Sequence, residues 1–198
     1  MDGLPVGPPQ NNLEWRLPGR GRVGMYCLIA AESAIFTIFV VAYLFYLGKS
    51  TTGPQSKDVL HAPIFYSICL ISSSLTVHVA VRQLVAGKMA IFATLWLLTI
   101  LLGGTFLFGT GREWRHLILD ECLTIGTNLF GTTYYSLVGL HALHVTVGLI
   151  ALITVAVFYF GAYLRREHAE KLEVLSMYWH FVDAVWLVVF IVVYVIGV

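Results

Sequence analysis

Charge is what this sequence has least of. Asp, Glu, Lys and Arg make up 12% of its 198 residues, against roughly a quarter in an average soluble domain. With 58% hydrophobic residues and a mean hydropathy of +0.81, that scarcity excludes a chain whose main solvent is water. A basic excess is also missing. A formal net charge of +1 and a pI near 7.8 leave no surface able to neutralise many phosphates, so a nucleic-acid partner is excluded. Cysteine is sparse. Cys27, Cys69 and Cys122 stand apart, without the CxxC, CxxCH or CxxxC spacing of a zinc site, an attached haem or a binuclear copper centre. Two of them lie in apolar runs, and all three read as packed thiols. A cleavable leader is not indicated either. The first twenty residues are polar and Pro-rich, and the apolar run behind them is too long for a signal core and lacks a small-residue cleavage pattern. The two halves show no repeat, which argues against a transporter built from inverted repeats.

What is present is a series of apolar runs, each long enough for a bilayer core of about 30 Å. They predict an all-α, polytopic membrane helix bundle with five transmembrane helices over 24–47, 61–85, 89–109, 132–163 and 176–198. A polar N-terminal segment, 1–22, precedes this membrane domain of residues 23–198. Pro63 suits a first helical turn, and Gly103, Gly104 and Gly109 thin one side of the third run for close approach of a neighbour. Residues 111–132 are mixed in polarity and read as an interfacial segment. The fourth run is longer than a perpendicular helix needs, so it tilts or protrudes. Basic residues favour the cytoplasmic side. Arg16, Arg20, Arg22, Arg82, Lys88, Arg165, Arg166 and Lys171 fall on one side, and Lys49, Lys57, Arg112 and Arg115 on the other. The N-terminus is therefore expected in the cytoplasm and the C-terminus on the outer side.

An ionisable residue inside a bilayer costs at least about 2.5–3.5 kcal/mol on insertion scales, so it faces protein, water or a headgroup. Glu32, ten residues into the first run, is the plainest case: a proton carrier, an anchor for a lipid or partner, or a protonated carboxyl that specifies packing. His141 and His144 share one helical face, and His180 and Asp183 repeat the i, i+3 relation on the last helix. Such groups can bind a metal or haem; equally, they can form a buried interhelical network of His–Asp and His–backbone bonds. Glu113, beside Arg112, Arg115 and His116, reads as a surface ion cluster or a functional carboxylate. Trp179, Trp186, Tyr178 and Tyr194 suit interfacial belts or lipid contact, with core or lipid-facing packing as their default. No thiolate pair and no catalytic carboxylate dyad is visible.

Four stretches together carry a resemblance. RVGMYCLIAAESAIF (22–36), Glu113–Trp114, NLFGTTYYSLVGLHALHVTVGLI (128–150) and YWHFVDAVWLVVF (178–190) resemble subunit III of the haem-copper respiratory oxidases, in the same order and with similar spacing. The resemblance implies a non-catalytic accessory subunit, with no catalytic residue, cofactor or metal of its own. Haem and copper belong to partner subunits, and the chain packs against the catalytic subunit I and other oxidase subunits. It further implies bound phospholipid, support of proton uptake and of turnover stability, and residence in a bacterial cytoplasmic (inner) membrane. A larger respiratory supercomplex is among the assemblies it allows. Glu32 and His180 match the family's lipid-binding Glu and His. His141, His144, Asp183 and Glu113 match its other polar positions. The mitochondrial type has seven helices, and its extra N-terminal pair forms one wall of a lipid cleft. This chain resembles the five-helix bacterial form, which includes quinol oxidases. The rival readings are a nitric-oxide-reductase accessory subunit of the same fold, a b-type haem carrier using His78, His141, His144 or His180, and a small transporter with Glu32 as its proton-coupled residue.

Overall fold

A backbone in hydrocarbon must satisfy its polar groups within its own segment, and a helix does so. The computed structural model describes residues 19–50, 53–54, 56–60, 62–164 and 166–198. Residues 1–18 of the polar N-terminal segment, including Arg16, lie outside the described residues, as do His61 and Arg165. Among the described residues there are helices and turns and no strand. They are α1 (Arg20–Tyr46), the single turn α2 (Ser56–Val59), α3 (Ile64–Val85), α4 (Met89–Leu119), α5 (Leu129–Phe160) and α6 (Ala169–Phe190). A 3-10 turn (Arg166–His168) precedes α6, which continues as a π-helix over Ile191–Ile196. Five of these, α1, α3, α4, α5 and α6 with its π-helical end, are long and apolar enough to cross a membrane.

The helix ends differ from the ends of the apolar runs. Helix α4 has 31 residues, about 46 Å at 1.5 Å per residue, and runs on through the polar Arg112–His116 stretch. The mixed segment after the third run is thus helical as far as Leu119. There Asp120 and Cys122 (φ 53°) turn the chain, and the Leu123 N–H donates to the Leu117 carbonyl at 2.8 Å. Asn128 caps α5 by accepting the Gly131 N–H at 2.8 Å. Ser50 accepts the neighbouring Phe130 N–H at 2.9 Å, and the Asn128 amide donates to the Pro54 carbonyl at 3.0 Å. The α1–α3 connection is thereby tied over the start of α5. Between α3 and α4 the hairpin depends on Gly87 at φ 76°, a left-handed conformation open to glycine. Helix α6 starts at Ala169, seven residues before the apolar run, because its first turns carry Glu170, Lys171 and Glu173 outside the hydrocarbon.

Helix α6 touches α1, α3 and α5, and α5 touches α1, α4 and α6, so these two form the middle of the bundle. Helix α1 leans mainly on that pair and buries just Phe36 and Tyr43. Lipid tails are as apolar as leucine, so helices associate through close packing and interhelical hydrogen bonds. Trp179 of α6 supplies both. Its ring lies where α4 and α5 carry Gly103 and Gly148, and its Nε1–H donates to Ser73 Oγ of α3 at 2.8 Å. Ser73 in turn donates to the Leu70 carbonyl at 2.6 Å. Trp186 donates to Ser67 Oγ at 3.1 Å, and Trp96 of α4 to the Leu152 carbonyl of α5 at 2.9 Å. Trp179, Trp186, Tyr178 and Tyr194 are therefore core residues and not an interfacial belt. Gly109 opens a seat for the Tyr66 ring, whereas Gly104 faces open space. Cys27 and Cys122 are exposed and only Cys69 is partly packed, which corrects the expectation of packed thiols.

An added Cβ would lie 2.7 Å from Trp179 at Gly148 and would meet nothing within 4 Å at Gly104. Gly148→Ala should cost about 1–3 kcal/mol through overpacking, seen as a lower unfolding midpoint in detergent. Gly104→Ala should leave that midpoint unchanged.

Candidate functional site

The polar side chains of the spans gather into three interhelical groups. In the first, His144 of α5 faces Glu32 of α1. His144 Nδ1 lies 2.8 Å from the Leu140 carbonyl, which can only accept, so Nδ1 carries the proton. The other ring nitrogen, Nε2, is 3.1 Å from Glu32 Oε2. A neutral Nε2 and a carboxylate would both be acceptors. The contact therefore holds one further proton, on His144 or on Glu32, and in either form the pair is net neutral. This removes the cost of an isolated charge in the bilayer. Tyr178 of α6 donates to the His144 carbonyl at 3.2 Å, and the Phe36 ring lies 5.0 Å from the imidazole.

In the second group, Ser74 of α3 meets His180 and Asp183 of α6. The Ser74 hydroxyl donates to Asp183 Oδ2. With that proton committed, the 2.9 Å contact to His180 is satisfied by Nδ1–H donating to Ser74 Oγ. His180 Nε2 is left to act as an acceptor. The rings of His180 and His78 are 6.0 Å apart, and both line a cavity of about 650 Å³ with Arg22, Arg82, Glu170, Glu173 and Ser176. Arg22 bonds Glu173 at 2.8 Å, while its Nε is buried without a partner. The cavity opens at the end of the bundle where α1 and α6 begin and α3 ends, and it joins a mouth in which the guanidinium groups of Arg22 and Arg82 stand with the carboxylates of Glu170 and Glu173 to apolar Val81 and Val85. The site therefore combines charged, hydrogen-bonding groups with an apolar wall.

In the third group, Glu113 near the end of α4 accepts from Tyr134 of α5 at 3.1 Å and from Tyr194 of the π-helix at 2.8 Å, both at Oε1. The expected surface ion cluster is thus replaced by a carboxylate that ties three elements together. His141 joins none of these groups. It is fully buried, stacked on Trp186 at 4.9 Å and edge-on to Phe106 at 5.7 Å, and neither ring nitrogen has a hydrogen-bond partner. The i, i+3 pairs accordingly split. His144 turns to α1 and His141 to the α4–α6 contact, while His180 and Asp183 share one serine. Among the described residues, no three His, Cys, Asp or Glu side chains converge in a way that could hold a metal ion. Ser73 and Ser74 were not singled out from the sequence, and Arg22 and Arg82 only as markers of orientation, although three consecutive serines in the apolar run ISSSL are a visible signal.

Five membrane-crossing helices, with most of the candidate carboxylates and imidazoles spent on contacts between helices, define a multi-pass membrane subunit. The comparisons identify which one. The family model for cytochrome c oxidase subunit III matches residues 20–198. Cytochrome c oxidase subunit 3 of Alkalihalophilus pseudofirmus is 32% identical, over 99% of this chain and 95% of its own length. The Synechocystis protein of the same name is 36% identical over 87% and 74%. Cytochrome bo(3) ubiquinol oxidase subunit 3 of Pseudomonas aeruginosa is 29% identical over 88% and 84%. The chain belongs to the cytochrome c oxidase subunit III family.

The shared proton makes Glu32 testable by two replacements. Gln can donate to His144 Nε2, so Glu32→Gln should keep the unfolding midpoint in detergent within error. Glu32→Ala leaves that nitrogen unpaired and should lower stability by about 1 kcal/mol or somewhat more. Equal loss in both variants would show that the contact does not share a proton.

Proposed function

We propose that this chain is the accessory, non-catalytic subunit III of a terminal haem-copper oxidase in a bacterial cytoplasmic membrane. It packs on the catalytic subunit, retains phospholipid and supports proton uptake and turnover stability during oxygen reduction. The observation that carries this reading is the family match along residues 20–198 on a bundle whose membrane carboxylates and imidazoles are largely used to join helices. Relatives from cytochrome c and quinol oxidases match at similar identity, which fits a subunit that does not handle the electron donor. In the proposed orientation the end carrying Arg22, Arg82, Lys88 and Lys171 faces the cytoplasm. The cavity with Arg22, His78, Arg82 and His180 then holds an anionic phospholipid of the inner leaflet, the guanidinium groups binding its phosphate.

A tag on this chain, expressed in the source membrane, should bring down a large haem-containing oxidase subunit. Recovery without one would overturn the assignment. Separated from that partner, the chain should show no Soret absorption, and a histidine-dependent Soret band would favour a haem carrier instead. In the complex, Arg82→Ala should reduce retained anionic phospholipid several-fold by mass spectrometry. The same variant should shorten the time over which oxygen reduction is sustained, with the initial rate close to wild type.

A further inference from the structure

Helix α4 carries Gly103, Gly104, Gly109 and Gly111, and the bundle uses only two of them. Gly103 receives the Trp179 ring and Gly109 the Tyr66 ring, whereas an added Cβ at Gly104 or Gly111 would meet nothing within 4 Å. Glycine is the costliest residue in a helix interior after proline, and these two seat nothing inside the chain. Both lie on one outward face. Leu97, Leu101, Gly104, Phe108, Gly111 and Arg115 follow one another in alternating steps of four and three residues, the spacing of a seam along which a second helix packs. Leu97, Leu101 and Phe108 on this face are exposed. Helix α4 packs on α3 and α5 by its opposite side, where Phe92, Trp96 and Phe106 are buried.

At the end of the bundle away from the Arg22–Arg82 cavity, the same face ends in two cations. Arg112 and Arg115 are exposed, about one and two turns beyond Phe108, and neither has an ion-pair partner among the described residues. The carboxylates near them in sequence are engaged elsewhere. Glu113 accepts from Tyr134 and Tyr194, and Asp120 and Glu121 face His116 at 2.6 and 3.9 Å. A lipid phosphate could meet the guanidinium groups, but an acyl chain gains nothing from two missing side chains, whereas a helix backbone gains close approach. A second copy of this chain, related by a two-fold axis along the membrane normal, would set Arg115 against Arg115. We propose that this face docks a transmembrane helix of another subunit, one that lies against Gly104 and Gly111 and carries a carboxylate beside Arg112 and Arg115. The glycines set its distance, and the arginines set its direction and register. The proposal rests on the chain being one subunit of a larger complex.

The test uses the intact complex, with a photoreactive benzophenone side chain in place of Phe108. Illumination should join the chain to a membrane-spanning segment of another subunit, with Asp or Glu within about three turns of the linked position on the Arg115 side. Combining Arg112→Glu with Arg115→Glu should lower the yield about tenfold, the loss of one charge-assisted bond. Gly104→Leu should abolish it, while the unfolding midpoint of the chain in detergent stays as in the wild type. Adducts to phospholipid alone, or to a second copy of this chain, would overturn the proposal. So would a yield that these variants leave unchanged. If the large haem-containing subunit is still recovered in such a case, the subunit assignment stands and only the docking face falls. A wild-type preparation that brings down no haem-containing subunit overturns both.

Discussion

The bundle depends on the seat of Trp179. Burial of apolar surface contributes little when the surroundings are lipid, so close approach and interhelical bonds must hold the helices together. Gly103 and Gly148 leave space on α4 and α5 for one large ring, and the ring's single donor is met by Ser73 on α3. Four helices are thus positioned by one side chain. Trp186 and Trp96 repeat the device with Ser67 and the Leu152 carbonyl. Helix α1 has no such anchor. Its polar link to the middle of the bundle is the Glu32–His144 pair, with an ion pair, Arg22–Glu173, at its outer end.

That difference explains why the ionisable groups are arranged as they are. Glu32 and His144 can hold α1 in place because their shared proton makes the pair neutral, and a neutral pair is tolerated at depth where a carboxylate alone is not. Glu113 receives two phenol donors at the far end of the bundle, and Asp183 receives a serine whose oxygen also serves His180. Each carboxylate joins at least two helices. Replacement of any one therefore acts on helix geometry before it acts on any ligand.

The five spans were legible because hydrocarbon permits few alternatives: a run of about twenty apolar residues in lipid is a helix. Their ends were less so. An apolar run stops where the lipid stops, but α4 continues to Leu119 and α6 begins at Ala169, since a helix already nucleated can extend by a few turns beyond the apolar run. The candidate list Glu32, Glu113, His141, His144, His180 and Asp183 picked out polar residues in apolar surroundings, and five of the six make side-chain hydrogen bonds between helices. Their partners were not legible, because a pairing such as Glu32 with His144 spans 112 residues and is set by helix rotation. The choice between interface and core stayed open for the tryptophans for a related reason. An indole in a membrane run looks the same at an interface and in a core, and what separates the cases is a glycine on another helix. His141 remains the exception, a fully buried imidazole used for its stacking surface on Trp186 and not for its nitrogens.

The two ends of the bundle present different chemistry, and the chain's lean build makes that difference matter. At one end guanidinium, imidazole and carboxylate groups surround a cavity with apolar walls; at the other, phenol and hydroxyl side chains line a smaller one with no charged side chain. Helix α1 contributes to both, through Arg22 and through Tyr43, and it is also the helix with the least packing inside the chain. A helix held by few internal contacts gains most from whatever fills the spaces beside it, because binding to the folded arrangement stabilises that arrangement by mass action. Whatever fills those spaces would then fix the tilt of α1 and with it the Glu32–His144 contact.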